Sequence, residues 1–279
     1  MTYTPRIAAF HQLHESGCFV IPNPWDPGSA RLLAGLGFKA LASSSAGFAW
    51  SMGRTDHGIT LDEALQHLRA VAAVVDVPIS ADFEKGFADR PEDVARNVAA
   101  AAATGIAGLS IEDSTGRAES PLFDYPLAVE RIAAAKRAID ESGTGVLLTG
   151  RSEGFIAGRP DLKETIRRLT AYAEAGADCL HAPGLRTIAD IEAVVKAVAP
   201  KPVNVLVSSS FTSVAQMAGL GVRRISVGGA LARVALSAFL DAATEIAEAG
   251  TFTRLDGARP GVAINAAFGE KGQGKREKG

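Results

Sequence analysis

The sequence predicts an α/β chain that closes into a single (β/α)8 TIM barrel, and three observations predict it. Eight short apolar runs are spaced along the chain, the segments between them carry helical periodicity, and one helix-ending motif recurs four times. The 279 residues are 47% hydrophobic and 22% charged, which supplies a full core and excludes a disordered chain.

The apolar runs centre near Val20, Leu41, Ile79, Leu109, Leu147, Cys179, Val205 and Ile225. Runs that are apolar throughout, without alternation, are strands buried on both faces of a parallel sheet. Between them, residues 61–75, 91–103, 127–139, 162–175 and 188–198 place apolar side chains three and four apart, with charges on the opposite face. Pro91, followed by Glu92 and Asp93, suits a helix start: proline loses no hydrogen bond there, and carboxylates meet the positive end of the dipole. The recurring motif is Ala-Gly or a similar small pair, followed within a few residues by an apolar run, as in Ala103-Thr104-Gly105 and Ala175-Gly176-Ala177. Glycine just past a helix takes the left-handed conformation that turns the chain toward a strand. A doubly wound open sheet is the alternative, but no glycine-rich dinucleotide fingerprint follows the first run. The barrel is expected over residues 1–250, a C-terminal extension over 251–268 and a disordered tail over 269–279, where four glycines and six charges stand without an apolar residue.

With 29 basic and 31 acidic residues the net charge is −2, so no general attraction to nucleic acid or an anionic membrane is encoded. Cys18 and Cys179 are too far apart in sequence to suggest a clustered metal site or a disulfide framework, and both lie in apolar surroundings. The first residues hold no apolar signal core, and no stretch approaches about eighteen apolar residues, so the expected setting is cytoplasmic.

Active sites of such barrels lie at the carboxyl ends of the strands, so the residues after each apolar run are the informative ones. They are polar nearly throughout: Asn23, Trp25 and Asp26; Ser43, Ser44 and Ser45; Asp82 and Glu84; Glu112 and Asp113; Arg151 and Glu153; His181; Asn204. Alternation along an extended segment puts Asp82 and Glu84 on one side, with Glu112 ending the neighbouring strand. Three clustered carboxylates repel unless a hard divalent cation joins them, so Asp82, Glu84 and Glu112 are the candidate ligands for Mg2+ or Mn2+. The alternative leaves Glu84 and Lys85 as solvated loop charges. Arg151 has forked donors for a substrate carboxylate, or for neutralising Glu112 or Glu153. His181 could polarise a carbonyl or relay a proton, or be a structural hydrogen-bonding residue. The Ser43–Ser45 turn could offer backbone amides to a developing oxyanion, and nothing resembles a serine-nucleophile elbow. Gly228-Gly229, at the start of the last long helix, fits either phosphate binding or close packing.

Over residues 5–250 the chain resembles the isocitrate lyase/phosphoenolpyruvate mutase superfamily. The matching segments are Asn23-Pro24-Trp25-Asp26-Pro27-Gly28-Ser29-Ala30-Arg31, Ser43-Ser44-Ser45 leading to Gly53-Arg54-Thr55-Asp56, Ala81-Asp82-Phe83-Glu84-Lys85-Gly86-Phe87 and Ser110-Ile111-Glu112-Asp113. They continue with Arg151, Glu174-Ala175-Gly176-Ala177-Asp178 and Lys201-Pro202-Val203-Asn204-Val205. The resemblance implies a barrel whose last helix is exchanged between subunits of a homotetramer, a dimer of dimers, and a magnesium-bound 2-oxo acid. It implies metal ligation by Asp82, with Glu84, Glu112 and Asp56 acting through waters, and substrate contacts from Ser44 and Arg151. Trp25, Ser43, Ser45 and Asn204 complete the expected substrate-binding set, and Arg151, Ser44, Asp56 and His181 the expected catalytic set.

Lyases of this family carry a Lys-Lys-Cys-Gly-His loop after the Glu-Asp pair. Here Ser114-Thr115-Gly116-Arg117-Ala118-Glu119-Ser120-Pro121 has neither cysteine nor histidine, which points away from isocitrate or methylisocitrate cleavage. The expected activity is therefore carbon–carbon lysis or decarboxylation of a small, oxaloacetate-like 2-oxo acid. Cleavage would leave an enolate stabilised by the cation, Arg151 and the Ser44 amide. Carbon–phosphorus chemistry on phosphonopyruvate, with Thr115 as the remaining counterpart of a phosphoryl-binding side chain, and a non-catalytic 2-oxo acid binding barrel are the alternatives.

Overall fold

A computed structural model describes residues 3–269. In chain order the elements are α1 (Pro5–Glu15), β1 (Phe19–Ile21), α2 (Pro27–Gly35), β2 (Leu41–Ala42), α3 (Ser45–Ser51), α4 (Leu61–Ala73), β3 (Ile79–Asp82) and α5 (Pro91–Ala102). They continue with β4 (Gly108–Glu112), α6 (Tyr125–Ser142), β5 (Leu147–Arg151), α7 (Leu162–Glu174), β6 (Cys179–His181), α8 (Ile188–Val198), β7 (Val203–Leu206), α9 (Val214–Gly219), β8 (Arg224–Ser226), α10 (Ala230–Ala249) and α11 (Gly261–Phe268). A single 3-10 turn, Thr253–Gly257, precedes α11.

All eight strands pair in parallel, in the order β1-β8-β7-β6-β5-β4-β3-β2. The remaining seam is drawn together where Ala42 and Ser44 donate backbone N–H bonds to the carbonyls of Pro22 and Pro24, each at 3.1 Å. The result is a nearly closed (β/α)8 barrel, as the apolar runs predict. Each of the eight expected strand centres falls within a strand. The helix over 188–198 has the expected limits, whereas α6 runs longer than 127–139 because Pro126 initiates it two residues after Asp124.

The recurrent helix-ending motif behaves as its chemistry requires: Gly176, after α7, has φ 105°, and a Cβ there would press on Lys136. β4 is buried at every position, and the surrounding helices turn their apolar stripes onto the outside of the barrel. α1 closes the amino-terminal end. Its Phe10, wholly buried, lies so close to Gly108 that an added Cβ would sit 2.6 Å from the ring. Cys179 is buried and Cys18 half-buried, both as free thiols. Among the described residues no helix is long and apolar enough to cross a membrane. The tail expected to be disordered lies, beyond Gly269, outside the described residues.

Candidate active site

The carboxyl ends of β3, β4 and β5 meet at one guanidinium. Arg151 Nη1 lies 2.7 Å from Asp82 Oδ1, Nη2 3.0 Å from Glu112 Oε2, and Nε 3.0 Å from Glu153 Oε1. Strand register builds this arrangement, because Glu112 pairs directly with Arg151 and Arg151 with His181. The second oxygen of Asp82 accepts from the Ser45 hydroxyl at 2.8 Å and the Ser45 N–H at 3.0 Å, while Ser43 Oγ accepts from the Asp82 N–H at 2.9 Å. Asp82 is thereby fixed from three sides.

One guanidinium faces three carboxylates, leaving an excess of negative charge in a poorly hydrated place. Burial pushes the Glu112 carboxyl well above its usual range; Arg151 opposes this, and Glu153 and Asp82 add to it. Burial also raises Glu153. For Arg151 burial disfavours the cation, but Glu153, Glu112 and Asp82 outweigh it and hold the guanidinium fully charged.

Glu84 departs from expectation. The alternation argument places it beside Asp82, yet the strand ends at Asp82 and the chain turns at once, with Glu84 at φ 48° and Gly86 N–H donating to the Phe83 carbonyl at 2.9 Å. Glu84 faces instead the loop after α3, where its Oε2 lies 3.3 Å from His57 Nδ1. It is 5% exposed, and its Oε1 is buried without a hydrogen-bond partner. The reading of Glu84 as a solvated loop charge therefore fails. Glu84, Glu112, His57 and Thr115 line one cavity of about 320 Å3. The hydrogen bond to Glu84 raises His57 to about 9, against its burial and with help from Asp56 and Glu112.

A second cavity, of about 100 Å3, opens inside the barrel mouth and is lined by Ser43, Asp82, Arg151, His181, Asn204 and Arg224, among others. Burial holds His181 well below its usual pKa, reinforced by Arg151 and Arg224, so the ring is neutral. Its Nδ1 lies 3.0 Å from both the Asn204 carbonyl and the Asn204 side-chain nitrogen. Arg224 fixes the Asn204 amide by donating to its Oδ1 at 2.9 Å.

Other expected site residues have local partners. The Ser44 N–H already donates to Pro24 and its hydroxyl caps α3 by accepting from Gly47 N–H at 3.1 Å, so that amide is committed to the β1–β2 seam. Trp25 packs over Gly47 and donates its backbone N–H to Ser29 Oγ at 3.0 Å, outside the lining of the barrel cavity. Asp56 is exposed beside His57 and Glu84. Gly228 and Gly229 sit against Leu206 and Trp50, with the Gly228 N–H donating to Asn23 Oδ1, which is the close-packing role. His57, Arg224 and Thr149 are missed by the strand-end reading. Arg224 stands at the start rather than the end of its strand, and the adjacency of His57 to Asp56 was the one available signal.

The donor set fits a hard divalent cation. The carboxylates outnumber their cationic partner, and the buried Glu84 oxygen lacks one.

Comparisons with known proteins give the same setting. Residues 10–247 match the family model described as phosphoenolpyruvate phosphomutase. The chain is 29% identical over 241 residues to an oxaloacetate decarboxylase of Pseudomonas aeruginosa (strain LESB58), covering 84% of this chain and 82% of that protein. A crystal structure from Burkholderia cenocepacia J2315, described provisionally as a lyase/mutase, superposes with a TM-score of 0.91 at 49% identity, covering 95% and 96% of the two chains. A phosphonopyruvate hydrolase in complex with oxalate and Mg++ superposes with a TM-score of 0.83 at 26% identity, covering 94% of each chain. With the family model spanning the barrel from α1 to α10, the chain belongs to the isocitrate lyase/phosphoenolpyruvate mutase superfamily of lyases and mutases.

Proposed function

We propose that this enzyme is a divalent-metal-dependent lyase or decarboxylase that cleaves a carbon–carbon bond of a small, oxaloacetate-like 2-oxo acid in the cytoplasm. The observation that carries this reading is the set of buried carboxylates gathered at the barrel mouth around a single arginine. Asp82, Glu84 and Glu112 would hold Mg2+ or Mn2+, which when bound supplies Lewis acidity toward ketone and carboxylate oxygens.

Arg151 then orients the substrate carboxylate through its forked donors and stabilises negative charge on the enolate left by bond cleavage. His181, neutral and held by Asn204, offers a hydrogen-bonding ring nitrogen to that cavity without adding charge. Ser43 and Ser45 orient Asp82, Ser44 caps the helix beneath the turn, and Trp25 backs it. Asp56 holds water at the rim. A barrel cavity of about 100 Å3 suits a substrate of few heavy atoms, since drug-sized ligands need roughly 300 Å3 or more. Decarboxylation needs no base to remove a hydroxyl proton and can take its final proton from water, which agrees with a 114–121 segment lacking cysteine and histidine.

Carbon–phosphorus chemistry is disfavoured by the same segment. Thr115 is 3% exposed, and its hydroxyl donates to the Ser120 carbonyl within its own loop. Oxaloacetate with enzyme and Mg2+ should release pyruvate faster than with Mg2+ alone, and chelator should remove the difference. Phosphate or phosphoenolpyruvate formed from phosphonopyruvate, with oxaloacetate untouched, would overturn the assignment.

The reading extends to assembly. α10 exposes Val234, Phe239 and Leu240, and α11 exposes Val262, each at 59–77%. So much apolar surface on the last helices suits contact between copies, with the last helix exchanged in a homotetramer. A monomer by sedimentation velocity at micromolar concentration would refute this.

A further inference from the structure

We infer that His57 supplies an imidazole nitrogen to the divalent ion of this enzyme, so that its site selects first-row transition metals over Mg2+. The inference rests on the metal dependence proposed above and adds a ligand that an all-oxygen set lacks. One side-chain atom each from Asp56, His57 and Glu84 lies within 4.8 Å of the others, a spacing that a single ion spans. Glu84 belongs to both this trio and the expected oxygen set. It is 5% exposed, yet Oε1 has no hydrogen-bond partner, a cost that an ion would remove. The contact between His57 Nδ1 and Glu84 Oε2 at 3.3 Å is the one an ion would replace. His57 is half exposed, and with Glu84 and Glu112 it lines the cavity of about 320 Å3, so an ion there would have room for waters and substrate oxygens.

Imidazole changes what such a site prefers. Mg2+ favours oxygen and waters, whereas Mn2+, Co2+ and Zn2+ accept nitrogen more readily.

Electron spin-echo envelope modulation on the Mn2+-loaded enzyme tests this without turnover. Wild type should show nitrogen coupling, and H57Q should bind Mn2+ with that coupling gone. By calorimetry, the preference for Co2+ over Mg2+ should fall by roughly 10-fold in H57Q while Mg2+ affinity stays within about 2-fold. Mn2+ bound without nitrogen coupling in wild type, or coupling that survives H57Q, overturns the role of His57 and leaves the metal dependence standing. Failure of wild type to bind any of the three ions overturns both.

Discussion

Glu112 and Asp113 leave the same strand end in opposite directions, one into the barrel and the other toward α7, and each meets an arginine. Asp113 Oδ2 accepts from Arg168 Nη1 at 3.0 Å and the Tyr172 hydroxyl at 2.7 Å, while Oδ1 accepts from the Glu153 N–H at 2.7 Å. Outside the barrel, then, the buried Asp113 carboxylate has a guanidinium and full hydrogen bonding, and the other edge of that guanidinium pairs with the half-buried Glu164 at 2.8 Å. Inside, three carboxylates share Arg151, and burial raises two of them. A balanced buried pair is a structural joint, and an unbalanced one is poised to take up positive charge. The joint serves the site, because Asp113 holds the backbone of Glu153 in place.

Making the same chemical change at the two neighbours should separate these roles. Asp113→Asn takes the buried carboxylate from Arg168 Nη1 and the Tyr172 hydroxyl, leaving Arg168 paired only with the half-buried Glu164, and should cost about 3 kcal/mol in chemical denaturation. Glu112→Gln removes one of three carboxylates from a crowded site and should shift stability by no more than about 1 kcal/mol, while activity collapses. Equal destabilisation by both would erase the contrast.

Arg151→Lys sharpens the comparison from the cation's side. An ammonium cannot fork across Asp82, Glu112 and Glu153 while orienting a carboxylate, so kcat/KM on oxaloacetate should fall about 100-fold or more. A loss below about 5-fold would show that charge alone suffices.

A smaller effect concerns the rim. In the ion-free enzyme His57 should titrate near pH 9 by NMR, and Glu84→Gln should bring it toward the ordinary value of 6.5. Because the folded value is raised, the stability gained from this pair is complete below about pH 6.5 and is lost as pH rises through about 9. An unchanged midpoint in Glu84→Gln would assign the shift to Asp56 and Glu112 instead.

Sequence patterning made the barrel legible because two-sided burial keeps the runs around the strands predominantly apolar, and the eight runs translate directly into eight staves. The strand-end acids Asp82 and Glu112 and their partner Arg151 were legible as the polar ends of apolar runs: register sets Glu112 beside Arg151 and Asp82 beside Ser110, and the long Arg151 side chain reaches Asp82. The direction of Glu84 was not legible, because alternation holds only while the chain is extended, and its φ of 48° lies one residue past Phe83, beyond the strand. The engagement of the Ser44 amide by the β1–β2 seam was not legible, because no local pattern reveals a long-range partner. Arg224 was invisible at the buried start of β8, where its side chain reaches across the barrel to Thr149 and Asn204.

Calorimetric titration of Mg2+ into chelator-treated wild type and Asp82→Ala decides whether the acids around Arg151 form a metal site. Wild type should bind one ion per chain and Asp82→Ala none at millimolar Mg2+, with its fold retained because Arg151 keeps Glu112 and Glu153. Mg2+ binding of undiminished affinity in Asp82→Ala would contradict the assignment.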